Sequence, residues 1–97
     1  FPGGIENLMK LVANVTKYPE DAWKQKAEGR VILRFVVDED GKMTHPQILQ
    51  SVRYDIDKEA IRAFEAIADV YRWSPGYQDG EAKRVKFTMP LYFRIPK

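Results

Sequence analysis

Three rhythms of apolar and polar positions run along this chain, and each predicts a different element. Ile5, Leu8, Met9, Val12 and Val15 recur every three or four positions, with Glu6, Asn7, Lys10 and Asn14 between them. That period belongs to an amphipathic helix. Tyr18-Pro19 interrupts it. Pro19 brings a fixed φ and no N–H, which suits a first helical turn, and Glu20 and Asp21 suit the positive end of a helix dipole. Residues 19–27 are therefore expected as a second, shorter helix, with Ala22 and Trp23 on its buried side.

The second rhythm begins after Gly29. From Arg30 to Val37, Val31, Leu33, Phe35 and Val37 fall on one face and Ile32, Arg34 and Val36 on the other, the pattern of a central strand. Asp38-Glu39-Asp40-Gly41-Lys42 supplies hairpin chemistry, and Met43 to Val52 returns as the partner strand. Pro46 cannot donate to a ladder, so this strand is expected at an edge or with a bulge. Asp57 reads as the N-cap of a third helix, with Glu59 in its first turn and Ala60, Ile61, Phe64, Ile67, Ala68 and Tyr71 at helical spacing. Pro75-Gly76 and Asp79-Gly80 mark a loop.

The third rhythm is strict alternation. Val85, Phe87, Met89, Leu91, Phe93 and Ile95 share one side; Lys86, Thr88, Pro90, Tyr92 and Arg94 share the other. This predicts a long strand with one wet face. The order helix, short helix, strand, strand, helix, strand gives an α+β fold. Its expected core is a three-stranded antiparallel sheet, order 2-1-3, with helices packed on one face and the last strand at an edge.

Composition narrows the chemistry. Ninety-seven residues, 44% of them hydrophobic, suit one domain spanning 1–97 and exclude a disordered chain. The absence of cysteine removes disulfides, thiolate zinc sites and thiol nucleophiles together. Because the sequence opens on Phe1 rather than Met, it is expected to be part of a longer protein with any anchor upstream. His45 is the lone histidine, and Ser51 and Ser74 lie outside any nucleophile elbow, so no enzyme is expected. The acidic turn at 38–41 lacks EF-hand spacing, and Gly3-Gly4 lacks a phosphate-cradling pattern, so neither metal nor cofactor is expected. Lys83, Arg84, Lys86, Arg94 and Lys97 surround the last strand, with Tyr92 available for stacking, but a net charge of +2 is no nucleic-acid footprint. Cations along an edge also blunt aggregation, and this is the stronger reading. Trp23 and Trp73 are read as packing residues.

Seven fragments in one order carry a family likeness: Phe1-Pro2-Gly3-Gly4, Tyr18-Pro19, Glu28-Gly29-Arg30-Val31, Phe35-Val36-Val37-Asp38 with Asp40-Gly41-Lys42, Asp57-Lys58-Glu59-Ala60-Ile61, Trp73-Ser74-Pro75-Gly76 and Pro90-Leu91-Tyr92-Phe93. Together they resemble the C-terminal domain of TonB, in the form common in Bacteroidetes-type bacteria. The resemblance implies a periplasmic module anchored to the inner membrane by a segment outside this sequence and working with the ExbB–ExbD complex. It also implies capture of the TonB box of TonB-dependent outer-membrane transporters, without covalent chemistry.

Strand addition to the last strand is the expected mode of capture. The candidate ladder runs from Arg84 to Tyr92. Lys86, Thr88 and Tyr92 would meet the guest, while Val85, Phe87, Met89 and Leu91 hold the strand to the core. Pro90 is expected either to turn its nitrogen inward at a bulge or to end the ladder. By family likeness, Tyr18 and Pro19 also meet the partner. Three residues before that Tyr, where enterobacterial members carry Gln, this chain has Val15. Pairing of two isolated copies through the same edge is a further expectation. An alternative is a regulatory domain appended to a membrane sensor of metallopeptidase type, which only the upstream sequence would separate.

Overall fold

The computed structural model describes residues 4–73, 76–78 and 81–96. In chain order the elements are α1 (Gly4–Val15), α2 (Glu20–Lys24), β1 (Gly29–Val37), β2 (Met43–Gln50), α3 (Tyr54–Ala68), β3 (Gly76–Gln78), β4 (Glu81–Lys83) and β5 (Val85–Phe93). Strands β2, β1 and β5 form an antiparallel sheet in that order, the expected 2-1-3 arrangement with the last long strand at an edge. The most apolar strand takes the middle, where both of its edges are paired and its odd-numbered face is buried under the helices.

Alternation along β1 and β5 sorts their side chains. Val31, Leu33, Phe35, Val37, Met89, Leu91 and Phe93 are buried on one face of the sheet, against Leu8 and Val12 of α1 and Ile56, Ala60, Ala63, Phe64 and Ile67 of α3. At the centre the Phe35 ring lies 5.0 Å from Phe64 and 5.7 Å from Phe87. The β1–β5 register is unbroken from Gly29 opposite Phe93 to Val37 opposite Val85. By contrast, the β1–β2 register shifts twice, once between Ile32 and Leu33 and once between Arg34 and Val36. The second irregularity spans His45 and Pro46, and His45 adopts a left-handed φ of 55° there. The expected edge position and the expected bulge therefore occur together.

Several expectations are corrected. Helix α3 starts at Tyr54 with Arg53 as its N-cap residue, rather than at Asp57. The Asp57 carboxylate lies one turn inside and reaches back, accepting the Val52 N–H at 3.0 Å and the Ser51 hydroxyl. The helix ends at Ala68, and Tyr71 is exposed beyond it, its N–H closing a turn on the Ile67 carbonyl. Trp23 is 48% exposed. A single-turn α2 has room to bury one residue, and Ala22 takes that place. The loop expected around residues 76–83 contains a short hairpin, with Tyr77 opposite Ala82. Expected breaks at Pro2-Gly3, Ser74-Pro75 and Asp79-Gly80 lie outside the described residues.

Candidate binding edge

Side-chain hydrogen bonds from β2 fix which way the β1 backbone faces. The carbonyls of Arg30 and Val36 accept from Gln50 Nε2 at 3.2 Å and Thr44 Oγ1 at 3.5 Å. The even-numbered residues of β1 thus turn toward β2, and the odd-numbered ones toward β5, since peptide groups alternate along a strand. Through the unbroken register, Val85, Phe87, Met89, Leu91 and Phe93 pair with β1. Lys86, Thr88, Pro90 and Tyr92 turn their peptide groups outward. Among the described residues, β5 pairs with β1 alone.

This settles the geometry of Pro90. It stands opposite Ile32 within a regular register, so its nitrogen faces away from the sheet and no bulge turns it inward. The internal ladder loses nothing. The outer edge instead offers N–H groups at Lys86, Thr88 and Tyr92, and carbonyls at those three positions and at Pro90.

The side chains divide as the alternation predicted, with one gradation. Met89 and Leu91 are buried, whereas Val85 and Phe87 are half-buried. Around Phe87 the cover is aromatic: its ring is stacked on Phe35 and lies 4.8 Å from Trp73. Trp73 is a packing residue, its backbone N–H donating to the Gly41 carbonyl at 2.7 Å. Arg84, Lys86, Thr88 and Tyr92 are exposed. The Arg94 guanidinium sits 5.3 Å from the Tyr92 ring centroid, within cation–π range.

Tyr18 is brought to the end of β5. Its ring meets Phe93 and Trp23 edge-on at 5.6 and 5.4 Å, and its hydroxyl donates to the Ala27 carbonyl. Burial, followed by the Glu28 and Asp55 carboxylates, raises its pKa above the usual phenol value. A groove of about 220 Å³ opens between Ala13, Thr16 and Tyr18 on one side and Leu91 to Arg94 on the other. Pro19 does not line this groove. It borders a separate hollow with Lys17, Tyr54, Asp55 and Lys58.

The pair that holds this corner together was missed from sequence. Arg62 donates to the Val15 carbonyl at 2.8 Å and to Glu59 at 2.7 Å, while Glu59 accepts the Lys17 N–H at 2.6 Å. Burial pushes the Glu59 pKa up, but the hydrogen bonds from Arg62 and Lys17 outweigh it and leave the group below its usual value. The only sequence signal was the i,i+3 spacing of opposite charges on a helix. Val15, in the place of the enterobacterial Gln, is half-buried against the core.

No helix among the described residues is long and apolar enough to cross a membrane, and no group of His, Asp or Glu there is arranged to hold a metal ion. Among solved structures, the fold is similar to the NMR solution structure of Helicobacter pylori TonB-CTD (residues 179-285). The TM-score is 0.79 at 15% identity, covering 100% of this chain and 85% of that one. The solution NMR structure of Pseudomonas aeruginosa TonB CTD is similar with a TM-score of 0.61 at 30% identity, covering 84% of this chain and 80% of that one. No curated protein sequence matches the chain. Residues 14–95 match the family described as Gram-negative bacterial TonB protein C-terminal. The chain belongs to this family of periplasmic, non-enzymatic interaction domains.

Proposed function

We propose that residues 1–97 act as one TonB C-terminal domain that captures the TonB box of outer-membrane transporters by strand addition along the outer edge of β5. The observation that carries this reading is the row of outward peptide groups at Lys86, Thr88 and Tyr92, on a strand that pairs on its other side with β1. An extended guest peptide gains main-chain hydrogen bonds there, each contributing about 0.5–1.5 kcal/mol, with modest demands on its side chains. Transporters with different box sequences could then share one module.

The candidate site runs from Arg84 to Tyr92. Val85, Phe87, Met89 and Leu91 hold the strand against the core, and Lys86, Thr88 and Tyr92 present side chains on the open face. Tyr18 borders the groove at the far end. Pro19 contributes by setting the chain direction after Tyr18 rather than by lining that groove. In this reading an upstream segment anchors the domain to the inner membrane, and the ExbB–ExbD motor pulls on it. A strand pulled along its own axis loads many ladder bonds together, which suits force transmission. A second copy of the chain could compete for the same edge.

An NMR titration with a synthetic TonB-box peptide tests the reading. The expected result is perturbation of backbone amides within residues 84–92, largest at Lys86, Thr88 and Tyr92. Shifts confined to the helices, or none at millimolar peptide, overturn it. Thr88→Pro removes one outward donor and leaves the β1 ladder intact, so peptide affinity is expected to fall about fivefold.

A further inference from the structure

We propose that Pro90 makes the outer edge of β5 selective, disfavouring a second copy of this chain while leaving the edge open to a guest strand; the guest half of the statement rests on the docking reading above. The argument is one of symmetry. A guest peptide lying beside β5 meets one missing donor, at Pro90. A closed homodimer uses the same patch on both subunits, so the deficit of each copy enters the interface. Every two-fold pairing that includes position 90 therefore lacks two N–H donors, either at two separate contacts or, where Pro90 faces Pro90, at one.

The positions of the remaining groups reinforce this. Pro90 is the third of the four outward positions of β5, after Lys86 and Thr88 and before Tyr92. A self-pairing along the whole strand therefore includes it, and one that slides past it keeps at most two outward positions of each copy. The segment from Lys83 to Pro96 also carries Lys83, Arg84, Lys86 and Arg94 and no carboxylate. Laying it against itself sets cations beside cations, a recognised guard against edge-to-edge association. A guest peptide carries neither handicap by necessity. The nitrogen of Pro90 costs the fold nothing, because it points away from β1. Its one structural effect is on whatever comes to the edge.

Pro90→Ala restores the missing N–H without touching the internal ladder. Sedimentation equilibrium of the 97-residue chain and titration with a synthetic TonB-box peptide read the two consequences separately. With one net hydrogen bond gained for the peptide and two for the dimer, the expected gains are about fivefold in peptide affinity and about 25-fold in self-association. Thr88→Pro combined with Pro90→Ala moves the vacancy one outward position along the edge and is expected to abolish the dimer gain. The proposal is overturned if Pro90→Ala leaves self-association unchanged, if the peptide gains as much as the dimer, or if the dimer gain survives Thr88→Pro. A peptide that binds neither the parent nor Pro90→Ala removes the docking reading, and sedimentation then decides alone whether Pro90 bars a second copy.

Discussion

A methyl group added at Gly29 would lie 2.8 Å from Val52 Cγ2 and 3.1 Å from Val52 Cγ1. Valine is stiff about χ1, so it cannot swing aside, and the glycine is needed for close approach rather than for an unusual φ. Gly29→Ala is expected to cost about 1–3 kcal/mol in urea unfolding. Adding Val52→Ala should recover part of that loss, and the absence of any recovery would show that the clash is not the cause. The buried side of β5 supports a graded comparison. Met89→Ala, at a fully buried position, is expected to cost about 2–5 kcal/mol, and Phe87→Ala less than a fully buried Phe would, about 2–3 kcal/mol. A loss at Met89→Ala with no measurable effect of Phe87→Ala would mean that the stack on Phe35 and the contact with Trp73 add nothing.

Long elements were readable from sequence because their periods are sustained. β1 and β5 alternate over nine residues each, and α3 repeats its apolar face over four turns. What was not readable is short or depends on neighbours. Three-residue β3 and β4 give no rhythm to detect, and α2 is too short to reveal that Ala22, not Trp23, faces the core. Asp57 looked like a cap because it precedes the apolar face, yet its carboxylate caps the chain entering the helix from inside. The β1–β2 turn supports a pH prediction. The Asp38 carboxylate accepts the Lys42 and Asp40 N–H groups at 3.0 and 2.9 Å, and the bond from Lys42, followed by that from Asp40 and the nearby cations, outweighs burial and holds its pKa below the usual value. A lowered folded-state pKa means that the unfolded chain binds the proton more readily. The stabilisation is therefore complete above the ordinary aspartate range and is lost as pH falls through the folded-state value. Unfolding measured from neutral pH into acid should show this loss, and Asp38→Asn should flatten the curve. An unchanged slope in Asp38→Asn would assign the acid sensitivity elsewhere.

In the whole molecule, the candidate edge was readable as a strand with a wet face, but its direction was not. Only the β1–β5 register together with the Arg30 and Val36 carbonyls establishes which peptide groups point outward. The connection from the first helix to that edge was equally hidden, because it depends on contacts between residues more than forty positions apart. Arg62 and Glu59 of α3 hold Val15 and Lys17 at the end of α1, and Tyr18 continues from there onto Phe93 at the end of β5. A load entering through α1 would thus reach the sheet by side-chain contacts as well as along the chain. If this corner is a local fastening and not part of the global core, loosening it should open the α1 end alone. Arg62→Ala with Glu59→Gln is expected to speed amide hydrogen exchange at residues 15–18 by about tenfold, equivalent to about 1.4 kcal/mol of local stability. Protection of the β1 and β5 amides, and peptide affinity at the β5 edge, should stay close to the parent values. Parallel loss of protection in β5 would show instead that the corner and the edge open as one unit.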